Sequence, residues 1–341
     1  MKKMPKISVV VPVYNVENYI ERCVRTLFEQ TMNDDVEYVF VNDGSTDNSI
    51  NILSKLIEEY SSLKKQIQII HHPCNMSLGS ARKTGILAAH GDYIFNYDSG
   101  DWIDKDFLKI MYSKAIATNA DVVWCDYYMG KKDGNYALRN TYCNQNKKDT
   151  LNAIIGYTCK QGLYVWNKLI RRSLFCNEKF VFSDNINLTE DHVMTFQCFL
   201  YANITAHVDK ALYYYYFRNE ALSKLDDYDM LPQQCKDVIN VNDIIFDIIA
   251  TANIYDADCK NAVNVRKLYT KRLILSRCHT TKCQWYNLYP ELKIDFFKKP
   301  FQIRTKLGLW GVQHKMPWMF DVYLWSQKIK EKYSIRRLLI R

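Results

Sequence analysis

Residues 93–101 read Y-I-F-N-Y-D-S-G-D, an apolar run that ends by delivering Asp98 and Asp101 into a turn. A strand that stops on carboxylates can hold a divalent cation where bound phosphates sit. Magnesium and manganese take oxygen ligands and often bind through one or two carboxylates plus substrate phosphate. The same D-S-G-D is also ordinary turn chemistry. Gly100 stands where a third carboxylate would complete an acidic cluster. On this stretch alone, a metal site and a plain turn are both open readings.

Upstream, the chain alternates between two periodicities. Residues 7–13 form a near-continuous apolar run, which reads as a strand buried on both faces. Ile20, Cys23, Val24, Leu27 and Phe28 then follow the spacing of an amphipathic helix. Further strands are expected at 36–41, 67–71, 93–97 and 121–127, with helices at 50–57, 77–89 and 107–118 between them. Repeated β-α-β units predict a mostly parallel sheet flanked by helices. Ligands of such sheets bind beyond the carboxyl ends of the strands, so the loops there are where chemistry belongs. Residues 129–150 are polar and read as an exposed loop or hairpin. Strands are expected at 165–170 and 211–217, around a helix at 191–201. Helical periodicity dominates beyond about residue 225.

The first strand ends in Pro12-Val13-Tyr14-Asn15. A dinucleotide-binding fold needs G-x-G-x-x-G here, and the absence of glycine argues against one. Tyr14 offers a stacking face and Asn15 hydrogen-bonding groups. The second strand ends in N42-D43-G44-S45-T46-D47, readable either as a turn with a helix cap or as a base-contacting loop.

The bulk properties fit an enzyme with a basic tail. The chain has 341 residues and a net charge of +9. Residues 298–341 hold 11 Lys and Arg against 2 Asp and Glu, so the whole positive balance lies there. That pattern differs from a basic nucleic-acid-binding domain, and no nucleic-acid partner is expected. The 11 cysteines include no C-x-x-C pair, which disfavours a disulfide framework or zinc site and suggests a reducing compartment. The first residues offer no signal-peptide cleavage site, and no run is long enough to span a bilayer.

Taken in order, P-V-Y-N, N-D-G-S-T-D, the A81-R82 helix and Y-D-S-G-D resemble the family 2 glycosyltransferases, the large inverting group with the GT-A fold. The resemblance continues through V165-W166-N167-K168-L169, T189-E190-D191 and Y213-Y214-Y215-Y216-F217-R218, covering roughly residues 5–225. It implies a GT-A domain over 1–225, with a nucleotide-binding half at 1–128 and an acceptor half at 129–225. A helical C-terminal region at 226–341 would follow.

The resemblance also implies roles for individual residues. Pro12, Val13, Tyr14, Asn15, Glu17, Asp43 and Ser45 would line the nucleotide pocket, with Asp43 accepting from uracil N3–H. Arg82 would approach the diphosphate of a UDP-sugar, where a guanidinium suits phosphate. Asp98 and Ser99 would meet the nucleotide sugar, and Asp101, with Asp98, would hold Mn or Mg. Asp191 would be the general base, supported by Glu190. Trp166, Lys168 and Arg218 would contact acceptor or phosphate. A single displacement would convert an α-linked donor into a β-glycoside.

Three motifs depart from the family pattern. The usual D-x-D-D is D98-S99-G100-D101, Ser77 and Lys83 replace a glycine and an asparagine, and Asn42 replaces an aspartate. The missing carboxylate at Gly100 motivates an alternative reading, a weak or inactive sugar-nucleotide-binding or scaffold protein of a polysaccharide assembly complex. Relatives of this type commonly extend glycans on polyprenyl-diphosphate lipids at the cytoplasmic membrane, building bacterial capsule or lipopolysaccharide. Trp318, Val322, Trp325, Ile329 and Tyr333 form an apolar stripe beside basic residues. The stripe reads either as core packing or as an interfacial helix, the latter giving a cytoplasmic enzyme peripheral to the membrane.

Overall fold

The computed structural model describes residues 4–130, 135–139, 141, 146–159, 163–216, 232–277 and 288–292, with positions 307, 310, 311, 316, 318, 319 and 322. Strands β1 (Ile7–Val13), β2 (Val36–Asn42), β3 (Ile67–His71) and β4 (Tyr93–Asn96) are parallel neighbours in the order β3-β2-β1-β4. Helices α1 (Ile20–Phe28), α2 (Ser49–Glu59) and α3 (Leu78–Ala88) connect them. All of β1 is buried, which is why its sequence lacks alternation.

Past β4 the sheet becomes mixed. It continues through β8 (Lys168–Arg171), β6 (Val122–Gly130), β9 (Thr205–Tyr215) and β5 (Trp102–Ile103). Strand β8 is antiparallel to both β4 and β6, β9 is parallel to β6, and β5 is antiparallel to β9. Strand β7 (Tyr136–Arg139) pairs with β6 as a hairpin. Helix α4 (Phe107–Thr118) follows β5.

Two apolar layers enclose this sheet. One packs α1, α2 and α4 against Val9, Val11, Phe95 and Val123. The other packs α5 (Lys147–Ile155), α6 (Glu190–Tyr201), α7 (Pro232–Thr251) and α8 (Ala257–Arg277) against Val10, Ile94, Val122 and Ile170. Val241, Ile245, Cys259 and Val263 belong to that second layer, so α7 and α8 share a core with the sheet.

Strand β5 has no counterpart in the sequence reading, and three other elements differ from it in extent or type. Helix α5 begins at Lys147, inside the stretch 129–150 expected as a polar loop or hairpin, because its apolar signal comes only later, from Leu151, Ile154 and Ile155 on one face. Strand β8 starts at Lys168, since Asn167 turns to donate from Nδ2 to the Cys125 carbonyl at 2.7 Å. Strand β9 begins at Thr205, six residues before the expected 211. Its polar start, T-A-H-V-D-K, lacks a clean alternation, and the pairing with β6 is irregular around Asp126.

Candidate active site

The parallel strands bring the loops after β1, β2 and β4 to one edge of the sheet. Side-chain hydrogen bonds join the first two loops. Asn15 accepts at Oδ1 from Thr46 N at 2.9 Å, and Asn15 N donates to Ser45 Oγ at 3.3 Å. Ser45 Oγ donates to Val13 O at 3.3 Å, and Glu17 Oε2 accepts from Asn48 N at 2.9 Å. Asn15 is in the left-handed region at φ 47°, which asparagine tolerates. Pro12 and Val13 are buried, whereas Tyr14 stands out at 46 % exposure with its ring presented to solvent.

Asp43 is buried and ties β2 to the loop after β3. Its Oδ1 accepts from Met76 N at 2.8 Å and lies 2.7 Å from His72 Nδ1, and its Oδ2 accepts from Ser77 N at 3.1 Å. The aspartate thus shapes the pocket wall. His72, which also sits 2.9 Å from Thr84 Oγ1, has no motif to betray it in the sequence.

Arg82 is the centre of the charged part. It is 1 % exposed, donating from Nη2 to Asp98 Oδ1 at 2.7 Å and from Nε to Glu190 Oε1 at 3.3 Å. Its Nη1 is buried without a hydrogen-bond acceptor among the described residues. Glu190 and Asp191 open α6, where the helix dipole favours negative charge. Burial nevertheless pushes both carboxyl groups up. For Glu190 the charge of Asp191 adds to the rise, while Arg82 opposes it. For Asp191, burial is opposed by Arg82 and by Lys168. A carboxylate raised towards neutral pH and kept near cations is suited to accepting a proton.

The loop before α6 is fixed from two sides. Leu78 N donates to Asn187 Oδ1 at 2.9 Å, Gly79 N donates to Ile186 O at 3.1 Å, and Asn187 N donates to Asp237 Oδ2 on α7 at 3.2 Å. Gly79 permits this approach, since a Cβ there would lie 2.0 Å from Ser183 O.

The other expected contacts fall differently. Trp166 is buried in an aromatic stack, with its ring centroid 4.5 Å from Tyr213 and 5.0 Å from Tyr164. Lys168 is fully buried, donating to Tyr164 O and, at 2.8 Å, to Asn167 Oδ1. It acts on the site through its charge near Asp191. Ser99 is buried in the turn. Arg218 lies outside the described residues.

The turn at 98–101 fits the expected Mn or Mg ion poorly. Asp101 is 1 % exposed, and its two oxygens accept from Tyr213 Oη at 2.7 Å and Tyr216 N at 2.8 Å. Asp98 is paired with Arg82, and Gly100 brings no side chain. Among the described residues no cluster of three or more His, Cys, Asp or Glu could hold a metal ion. The Asp101 carboxylate serves to fasten β9 to the turn.

Arginine, a carboxylate pair at a helix start and an open aromatic beside strand carboxyl ends define an α/β enzyme of the GT-A-like transferase class. The family model for glycosyl transferase family 2 matches residues 8–178, and the chain belongs to that family. It is 34% identical to the glycosyltransferase EpsH of Bacillus subtilis (strain 168) over 217 residues, 62% of this chain and 60% of that one. It is 31% identical to the poly(ribitol-phosphate) beta-glucosyltransferase of Bacillus spizizenii over 216 residues, 61% of this chain and 32% of that one. The chain therefore spans less than two thirds of either relative's length. In fold it resembles S. aureus TarS 1–349 in complex with UDP-GlcNAc, with a TM-score of 0.67, 19% identity and coverage of 95% and 92%.

Proposed function

We propose that this enzyme transfers a sugar from a UDP-sugar to a hydroxyl of a bacterial surface glycan, with inversion to a β-linkage. The observation that carries the reading is the Asp98–Arg82–Glu190 chain of ion pairs. It links the strand turn that meets a donor to the helix that carries Asp191. The TarS neighbour binds UDP-GlcNAc, and the poly(ribitol-phosphate) glucosyltransferase acts on a polymer, which supports a nucleotide-sugar donor and a polymeric acceptor.

Tyr14 stacks on the uracil, while Asn15, Glu17 and Ser45 hold the loop under it and Asp43 faces N3–H. Arg82 holds the diphosphate. The acceptor hydroxyl attacks the anomeric carbon from the face opposite UDP, its proton passes to Asp191, and the anomeric C–O bond breaks with its electron pair going to the β-phosphate oxygen. Incubation with a panel of UDP-sugars and UDP calorimetry test this function. UDP binding and slow UDP release from one donor are expected. A chain that neither binds UDP nor releases it from any donor refutes the proposal.

A glycan acceptor on a polyprenyl-diphosphate lipid would bring the enzyme to a membrane surface. No helix among the described residues is long and apolar enough to cross one. Trp318 and Val322 are 59 % and 54 % exposed, which supports surface docking of residues 298–341 on anionic lipid. The other stripe positions, Trp325, Ile329 and Tyr333, lie outside the described residues. Equal sedimentation of the full chain and a 1–297 truncation with anionic liposomes would remove the tail from this role.

A further inference from the structure

We propose that the donor's diphosphate is held by two fixed guanidinium groups, Arg22 and Arg82, in place of a resident divalent ion. This rests on the donor being a UDP-sugar. Arg82 grips the Asp98 side chain on one flank of the turn. On the other flank, Arg22 of α1 donates from Nη2 to the carbonyl of Gly100 at 3.3 Å. The residue that lacks a carboxylate is thus the one a guanidinium touches.

Arg22 is not a loose surface side chain. Its guanidinium carbon lies 3.8 Å from the Trp102 ring centre and 4.4 Å from that of Tyr216. The same Tyr216 donates its backbone N–H to Asp101. Two rings therefore fix the group against the turn, and the rotamer entropy of arginine is already spent before a ligand arrives.

The two ring centres lie 5.7 Å apart, so the rings meet the guanidinium from adjacent sides and leave the rest of its edge free of ring contact. Arg22 Nε is buried without an acceptor among the described residues, as is Arg82 Nη1. A buried N–H with no acceptor costs free energy, and an oxygen-rich ligand between the two arginines supplies the acceptors. A planar fork matches phosphate oxygens in geometry as well as in charge.

The carboxylates point away from metal binding. Both Asp101 oxygens accept from Tyr213 and Tyr216, and one Asp98 oxygen accepts from Arg82. In the transfer step the electron pair of the broken anomeric C–O bond goes to the β-phosphate oxygen. Permanent cations can stabilise that charge without an ion that must bind first.

The test is calorimetry of UDP and of uridine with the full chain, in EDTA and in manganese. Wild-type UDP affinity is expected to change by less than about threefold between the two conditions. Arg22→Met is expected to weaken UDP by about tenfold, the scale of one charge-assisted hydrogen bond, and to leave uridine unchanged. Arg22→Lys, which keeps the charge but not the fork, falls between them, and thermal unfolding of each variant reports whether it folds. UDP binding that appears only with manganese overturns the proposal and leaves the glycosyltransferase reading intact, as does equal UDP affinity in Arg22→Met and wild type. Failure of UDP to bind in both conditions overturns the donor assignment itself.

Discussion

Arg82 Nε lies 3.3 Å from Glu190 Oε1, joining α3 to α6 across 108 residues of chain. Both side chains are almost fully buried, and the same guanidinium also holds Asp98. Breaking a buried pair leaves an uncompensated charge, which costs about 3–5 kcal/mol. Arg82→Met is therefore expected to lower unfolding free energy by about that much at neutral pH, measured by urea titration. Glu190 would rise further towards protonation without Arg82, so the loss should shrink as pH falls. A loss independent of pH would mean that packing, not charge, is what Arg82 contributes.

Gly79 is the point where α3 meets the loop that positions Asp191. A methyl group there would collide with the Ser183 carbonyl at 2.0 Å, and backbone must move to relieve it. Gly79→Ala is expected to lower kcat by about a hundredfold, the scale of a shift of about 1 Å in a catalytic group. UDP affinity reports how much of the shift falls on α3 itself, because Arg82 lies on the same helix. Single-turnover kinetics beside UDP calorimetry separate the two effects.

Ser77 shows how a departure from the family pattern is accommodated. Its backbone sits at φ 99° and ψ 156°, a region that is essentially reserved for glycine and costs about 1–3 kcal/mol for other residues. What offsets the cost is local. Ser77 Oγ accepts from Ser80 N at 3.3 Å as the cap of α3, and Ser77 N donates to Asp43. Replacing a serine cap with glycine costs only a few tenths of a kcal/mol. Ser77→Gly is thus expected to stabilise the protein by about 1 kcal/mol in urea unfolding. A loss of stability would show that the capping bond outweighs the strain.

The sequence makes the first half of the fold legible because its strands are buried on both faces and its helices are amphipathic. Strand β1 and helix α4 match their expected ranges in full. Legibility fades where elements are half-polar, as in α5 and the start of β9, since tertiary packing rather than periodicity sets them. The site divides in the same way. The ion pairing of Arg82, Asp98 and Glu190 joins residues that motifs had already singled out. The fate of Asp101 depends on Tyr213 and Tyr216, more than 100 residues away, and no spacing rule foretells it. Arg22 reads in sequence as one more charge on an amphipathic helix, and only the rings of Trp102 and Tyr216 reveal its place.

Asp191 carries the pH dependence. Burial raises its carboxyl above the ordinary aspartate range, against the pull of Arg82 and Lys168. A base must be ionised, so transfer should rise with pH along a limb displaced upward from ordinary aspartate titration. Stability runs the other way. A carboxyl whose folded pKa is raised contributes stability that is full below its unfolded pKa and is lost as pH rises through the folded one. Asp191→Asn removes the buried charge while keeping nearly the same shape. It is expected to retain UDP binding, abolish transfer and gain stability over wild type at pH values above the raised pKa, with no gain in acid. Paired pH profiles of transfer and of urea unfolding check this. Unimpaired transfer by Asp191→Asn would remove it from the base role, whereas a stability gain that persists in acid would locate the effect in packing.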